Sequence, residues 1–143
     1  MKIGISFSVE WWDNDVILFL ARTSNGVFSG ETTLYSGHDE LAQLAETLNG
    51  FPKDAADHRE VELGAFSTSH SGGGILMRFS CLDAVAHAAV DVKLRTQECG
   101  AFGDFESVAL RIPIEAAAVD AFVNQLRQFK IAPEETITLF MAP

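Results

Sequence analysis

The sequence predicts an α+β domain, an antiparallel sheet of about seven or eight strands with two helices packed on one face. Three observations carry that prediction. Short runs of alternating apolar and polar residues follow one another with only turn residues between them. Two stretches instead carry apolar residues at helical spacing. The strand runs come in consecutive groups, which favours hairpin-connected antiparallel pairing over a doubly wound parallel sheet. The 143 residues suit a single domain spanning 1–143, since a globule of this size buries roughly two thirds of its unfolded surface.

Ile3, Ile5, Phe7 and Val9 alternate with Lys2, Gly4, Ser6 and Ser8, the period of a strand with one buried face. After the polar Asp13-Asn14-Asp15 turn, Val16 to Ala21 is a continuous apolar run, and Val27 to Tyr35 reads as its partner strand. Between them, Asn25-Gly26 tolerates the positive φ angles of a tight hairpin turn. From Ser36 to Asn49 the period changes. Leu41, Leu44, Ala45 and Leu48 share one helical face, Asp39 and Glu40 suit the first turn, and Gly50 and Pro52 supply the stop.

Val61, Leu63 and Ala65 open a further strand that ends in the Ser- and Gly-rich stretch 67–74, read as a hairpin loop. Ile75, Met77, Phe79 and Cys81 form the next strand, and Ala88, Val90, Val92 and Leu94 the one after it. A loop at 98–104 leads to a strand from Phe105 to Ile112, Pro113 and Glu115 mark the start of a second helix reaching Phe129, and Ile137, Leu139 and Met141 suggest a short last strand. Val119, Phe122, Val123, Leu126 and Phe129 repeat the spacing of Leu41, Leu44, Ala45, Leu48 and Phe51. Duplication and ordinary amphipathic periodicity both produce such a pattern.

Apolar residues at 48% and charged residues at 21% place the chain among folded sequences, not disordered ones. Its 20 acidic residues outnumber 10 basic ones, for a net charge of −10. Such a surface repels phosphate backbones and anionic lipid, so nucleic acid and membrane are not expected partners. It attracts a basic protein and speeds the encounter, and it equally keeps a soluble protein dispersed. Positions 1–16 lack the apolar stretch of a signal peptide, and no segment reaches the roughly 18 apolar residues of a membrane span. With Cys81 and Cys99 as its two cysteines the chain has no disulfide framework, and the expected compartment is the cytoplasm.

Each constellation that would carry chemistry fails on spacing or context. Gly72-Gly73-Gly74 precedes a strand and lacks the Lys-Ser/Thr and helix of a phosphate-binding loop. His38, His58, His70 and His87 have no metal-ligand spacing with one another or with a cysteine, so no metal or cofactor is expected. No nucleophile elbow occurs. Cys81 falls in phase with apolar neighbours, and Cys99 stands beside Glu98, whose charge disfavours a thiolate. Glu60 and Glu62 share a strand face and read as a solvated pair. No catalytic residue is therefore assigned. The candidate partner-binding residues are Glu10, Trp11, Trp12, Asp13 and Asp15, because in a strand one of two adjacent indoles must point away from the core, here among carboxylates that suit a basic protein.

The order of elements is an early strand with tryptophan, an Asn-Gly hairpin, the helix DELAQLAETLNGF, a four-strand meander and the closing helix VDAFVNQLRQF. It resembles that of small bacterial immunity proteins of the WapI-associated type over nearly the full chain. The resemblance implies a stoichiometric inhibitor that binds a cognate toxin, not an enzyme, and it carries over no residue's role. Two other classes stay open: a small-molecule-binding domain or cryptic enzyme with a pocket between sheet and helices, and a structural homo-dimer or larger homo-oligomer pairing through an exposed sheet edge.

Overall fold

β1 (Gly4–Trp12), β2 (Val16–Ser24) and β3 (Ser29–Gly37) form an antiparallel meander in the computed structural model, which describes residues 2–66, 72–85, 87–97, 105–131, 138–141 and 143. His70, Cys99, Asp104, Ile137 and the Gly/Ser stretch short of Gly72 lie outside the described residues. Both hairpins are closed by turn-forming side chains. Asp13 Oδ1 accepts the backbone N–H groups of Asp15 and Val16 at 2.8 Å each, and Asn25 Oδ1 accepts those of Val27 and Phe28 at 2.9 and 2.8 Å. Gly26 adopts φ 88° in a four-residue loop, Asn25 to Phe28, closed by Asn25 N–H donating to Phe28 O at 3.1 Å, in place of the tight two-residue Asn-Gly turn expected. β3 begins at Ser29 and not at Val27, because the turn takes up Val27 and Phe28.

α1 (Glu40–Leu48) follows, burying Leu41, Leu44, Ala45 and Leu48. Its end is held from the next strand. The Arg59 guanidinium donates to the carbonyls of Thr47 and Asn49 at 3.0 and 2.6 Å, lies over the Phe51 ring and pairs with Asp57 at 2.8 Å. A cation at helix C-terminal carbonyls meets both unpaired acceptors and the negative end of the dipole.

A second meander comprises β4 (His58–Gly64), β5 (Gly74–Cys81), β6 (Ala88–Arg95) and β7 (Ser107–Ile114), and α2 (Ala116–Gln128) and β8 (Thr138–Met141) complete the chain. Pro113 lies inside β7 instead of opening α2. β7 is an edge strand, where the missing proline N–H leaves no ladder bond unmade.

The fold class is α+β, but the strands form two four-stranded antiparallel sheets, ordered β3-β2-β1-β8 and β4-β5-β6-β7, in place of the single sheet predicted. α1 intervenes between β3 and β4, so the second meander starts a new sheet, while β8 returns to lie beside β1 with Phe140 opposite Ser6. The sheets touch at a seam where Gly73 N–H donates to Thr33 O at 2.9 Å. There a Cβ on Gly64, at φ 74°, would come within 2.5 Å of Gly73 O and 2.8 Å of Leu34 Cβ.

The inner faces of both sheets and the buried stripes of both helices belong to one contiguous core. Phe7 of β1 meets Phe19 edge-on at 6.2 Å and Phe122 of α2 at 6.2 Å, and Phe51, just after α1, meets Phe79 of β5 at 5.8 Å. Each of these fully buried rings contributes roughly 2–3 kcal/mol relative to exposure. Both helices thus lie on the inner side, and each sheet keeps an outer face.

Strand and helix repeat together. Ser29 and Ser107, which begin β3 and β7, stand 78 positions apart, as do Leu41 and Val119. Thr32, Leu34 and Ser36 are the buried positions of β3, and Leu110, Ile112 and Ile114 hold the same places in β7. The helix spacing seen in the sequence therefore extends over a strand–helix unit with the same alternation of buried positions.

Candidate functional site

The candidate site gathers at the β1–β2 hairpin, where a bulge decides which indole faces out. Ile5 and Phe7 point inward, and unbroken alternation would send Trp11 inward with them. The register instead shifts between Val9 and Trp11: Val9 lies opposite Phe19, and Trp11 lies opposite Leu18. Glu10 is the extra residue, and a bulge of this kind re-aims the side chains that follow it. Trp11 is carried to the outer face and is 51% exposed, whereas Trp12, opposite the buried Ile17, falls on the inner side of the strand end and remains 40% exposed.

Across the outer face, Leu18 links Trp11 to Tyr35 of β3, so Trp11, Leu18 and Tyr35 form one cross-strand row. Leu20, between Ser8 and Thr33, lies in the adjoining row. The Tyr35 ring, 41% exposed, is backed by Gly72, where a Cβ would come within 3.0 Å of it.

The carboxylates at this end play different parts. Glu10 and Asp15 are exposed. Asp13 is also exposed, but its Oδ1 serves the turn, and the N–H groups of Val16 and Asp15 hold its carboxyl below the usual range, with His38 adding a smaller push in the same direction. His38 Nε2–H donates to Asp13 O at 2.6 Å and fastens this turn to the β3–α1 junction, where Asp39 and Glu40 add two more carboxyl groups. No Lys or Arg occurs between positions 2 and 22 or between 22 and 53. The five residues singled out from the sequence are thus contiguous in space. Leu18 and Tyr35 were missed, since strand register is not written in local periodicity.

The outer face of the second sheet is built differently. Glu60, Arg78, Asp91 and Arg111 stand side by side across its four strands with alternating charge. Arg78 pairs with Glu60 at 2.7 Å, and Arg111 forks onto Asp91 at 2.7 and 3.0 Å. Glu60 is therefore part of a charge ladder and not of an acid–base pair with Glu62.

The described histidines are engaged separately: His38 by Asp13 O, His58 by Ala56 O and His87 by the Asp83 carboxylate at 2.5 Å. That carboxylate raises the His87 pKa above its ordinary value. Among the described residues, no group of three or more His, Cys, Asp or Glu is placed to hold a metal ion. Cys81 is half-buried against the core, with its Sγ 3.6 Å from Asp54 O. A cleft of 160 Å³ lies at the seam, lined by Glu31, Leu94, Arg95, Glu106 and Val108 among others. Arg95, 7% exposed, donates there to Phe66 O at 3.0 Å and lies 4.1 Å over the Phe105 ring.

No helix among the described residues is long and apolar enough to cross a membrane. No protein-family model, no curated protein and no solved structure matches the chain.

Proposed function

We propose that this chain is a non-enzymatic protein-binding domain that holds a basic partner in a stoichiometric complex, in the manner of the bacterial immunity proteins its element order resembles. The observation that carries the reading is the half-exposed Trp11, set between Glu10 and the Asp13–Asp15 turn in a stretch that holds no cation. A large rigid indole supplies contact area at little cost in side-chain entropy, and surrounding carboxylates steer a positively charged surface onto it. The partner in this reading is a cognate toxin, and the chain acts in the cytoplasm by occupying the toxin's surface.

Tagged chain is recovered from its native cells and its copurifying proteins identified. A basic protein that forms a one-to-one complex, and whose toxicity the chain abolishes, is the expected result. Glu10→Lys with Asp15→Lys should slow its association several-fold at low salt and much less at high salt, because steering by exposed charge is screened. Recovery of no protein, including the product of any neighbouring toxin gene, would defeat the proposal.

A further inference from the structure

Resting on that protein-binding reading, we infer that the docking surface is the outer face of the first sheet, centred on Trp11, Leu18, Leu20 and Tyr35, and that its occupant is a basic protein presenting apolar groups flanked by Lys or Arg. The molecule supplies its own comparison. Its two sheets each have four strands and share the repeated strand–helix unit, with β3 and β7 alternating identically between buried and outward positions. The second sheet covers its outer face with the ladder Glu60–Arg78–Asp91–Arg111. At the 78-residue spacing, Thr33 occupies the place of Arg111, and its row continues to Leu20 and Ser8. The next row is Trp11, Leu18 and Tyr35. Where the second sheet meets water with paired charge across its four strands, the first carries the pair Arg22–Glu31 at 2.7 Å in the row beyond Leu20 and otherwise offers two aromatic rings and two leucines.

A contiguous apolar patch rimmed by polar groups marks an interaction surface. Its placement is local: the Glu10 bulge turns Trp11 outward, and the Tyr35 ring lies beside Gly72, where a Cβ would crowd it. Charge selects the occupant. A second copy of the chain would bring its own net charge of −10 to this face, and like charges brought together in an interface are unfavourable. A partner bearing Lys or Arg around an apolar centre meets the same rim favourably, and its cations find the faces of Trp11 and Tyr35.

The test places photoreactive benzoylphenylalanine in turn at Thr33, exposed on the proposed face, and at Ala109, exposed on the outer face of the second sheet. Each full-length variant is irradiated in its native cells. The captured protein is then purified and titrated against wild type, Trp11→Ser/Tyr35→Ser and Arg78→Ala. Circular dichroism and urea midpoints verify that the variants fold. The expected result is an adduct from Thr33 with a basic protein, binding about 30-fold or more weaker for the aromatic double variant, and a change under about two-fold for Arg78→Ala.

An adduct of twice the chain's 15.5 kDa, made of two copies, would overturn the proposed occupant. Capture of an acidic protein would overturn it as well. Capture from Ala109 alone, or affinity indifferent to Trp11 and Tyr35, would overturn the proposed face while leaving the protein-binding reading standing. Silence at both positions would overturn both.

Discussion

Gln125 closes the open edge of the first sheet, and its removal has a calculable effect. β8 is an edge strand, and the Phe140 peptide groups that face away from β1 are met by one side chain. Gln125 Nε2 donates to Phe140 O and Gln125 Oε1 accepts Phe140 N–H, both at 2.8 Å. The amide of α2 thus acts as a one-residue substitute for a neighbouring strand. Gln125→Ala deletes both bonds at a half-buried site, and at about 1 kcal/mol net for each bond the loss is about 2 kcal/mol. For a chain of this length that corresponds to a fall of roughly 6 °C in Tm. Gln125→Glu separates the two bonds. At neutral pH its carboxylate still accepts the N–H but faces the carbonyl with a second acceptor, which raises its pKa in the folded chain, so it should be less stable than wild type and recover as pH falls from that raised value toward the ordinary Glu value.

Thermal unfolding and hydrogen exchange at the Phe140 amide read the effect, and light scattering reads any self-association through the newly exposed edge. Unchanged Tm together with undiminished protection at Phe140 in Gln125→Ala would refute the reasoning.

Two further effects follow from local geometry. Gly64→Ala should cost about 3 kcal/mol or more, combining a left-handed φ with a clash against Gly73 and Leu34, whereas Gly50→Ala, at the same φ of 74° but with nothing within 4 Å, should cost about 1 kcal/mol; equal urea midpoints for the two variants would dismiss the packing account of the seam. Stability should also peak in mildly acidic solution. The carboxyls of Asp13, Asp57 and Asp83 are lowered from 3.8 by backbone N–H groups, by Arg59 and by His87 respectively, so their contribution is present above 3.8 and is lost as pH falls through their lowered values. His87 is raised from 6.5 chiefly by its hydrogen bond to Asp83, so its contribution is whole below 6.5 and is lost as pH rises through the raised value. Urea midpoints at about pH 3, 5.5 and 8.5 check this, and His87→Gln should flatten the alkaline side and remove the Asp83 share of the acid side, leaving the shares of Asp13 and Asp57.

Local pattern sufficed for much of this architecture. Alternation in Ile5, Phe7, Ile75, Met77 and Phe79 named their inward faces correctly, and the Leu41 and Val119 stripes are the buried faces of the two helices. The Asn25-Gly26 turn placed β2 against β3. What periodicity does not encode is the partner. An alternating strand has the same period in either of two sheets, so the division after β3 and the return of β8 to β1 were hidden. The change of period at Ser36 predicts helix from there on, whereas its small buried side chain suits the end of β3 and its hydroxyl contacts Glu40 at 3.2 Å. The candidate site was legible in composition, through adjacent indoles among acids, but its orientation was not. That depends on a bulge at Glu10, which becomes visible once Val9 is seen opposite Phe19 and Trp11 opposite Leu18.

The pairing of β8 with β1 also bears on the order in which the protein is made. A ribosome that has completed β1 must add the 125 residues between Trp12 and Thr138 before the strand's second neighbour exists. At about 5–20 residues per second, that interval lasts roughly 6 to 25 seconds, longer than hairpin formation by orders of magnitude. During it, β1 and β2 can zip together while the far side of β1 is an unpaired ladder beside other nascent chains. Sheet closure thus waits on a long-range contact, and bringing such distant segments together carries a loop-closure cost in entropy. Ser6, Ser8 and Glu10 on the waiting strand keep that interval from being an invitation to aggregate.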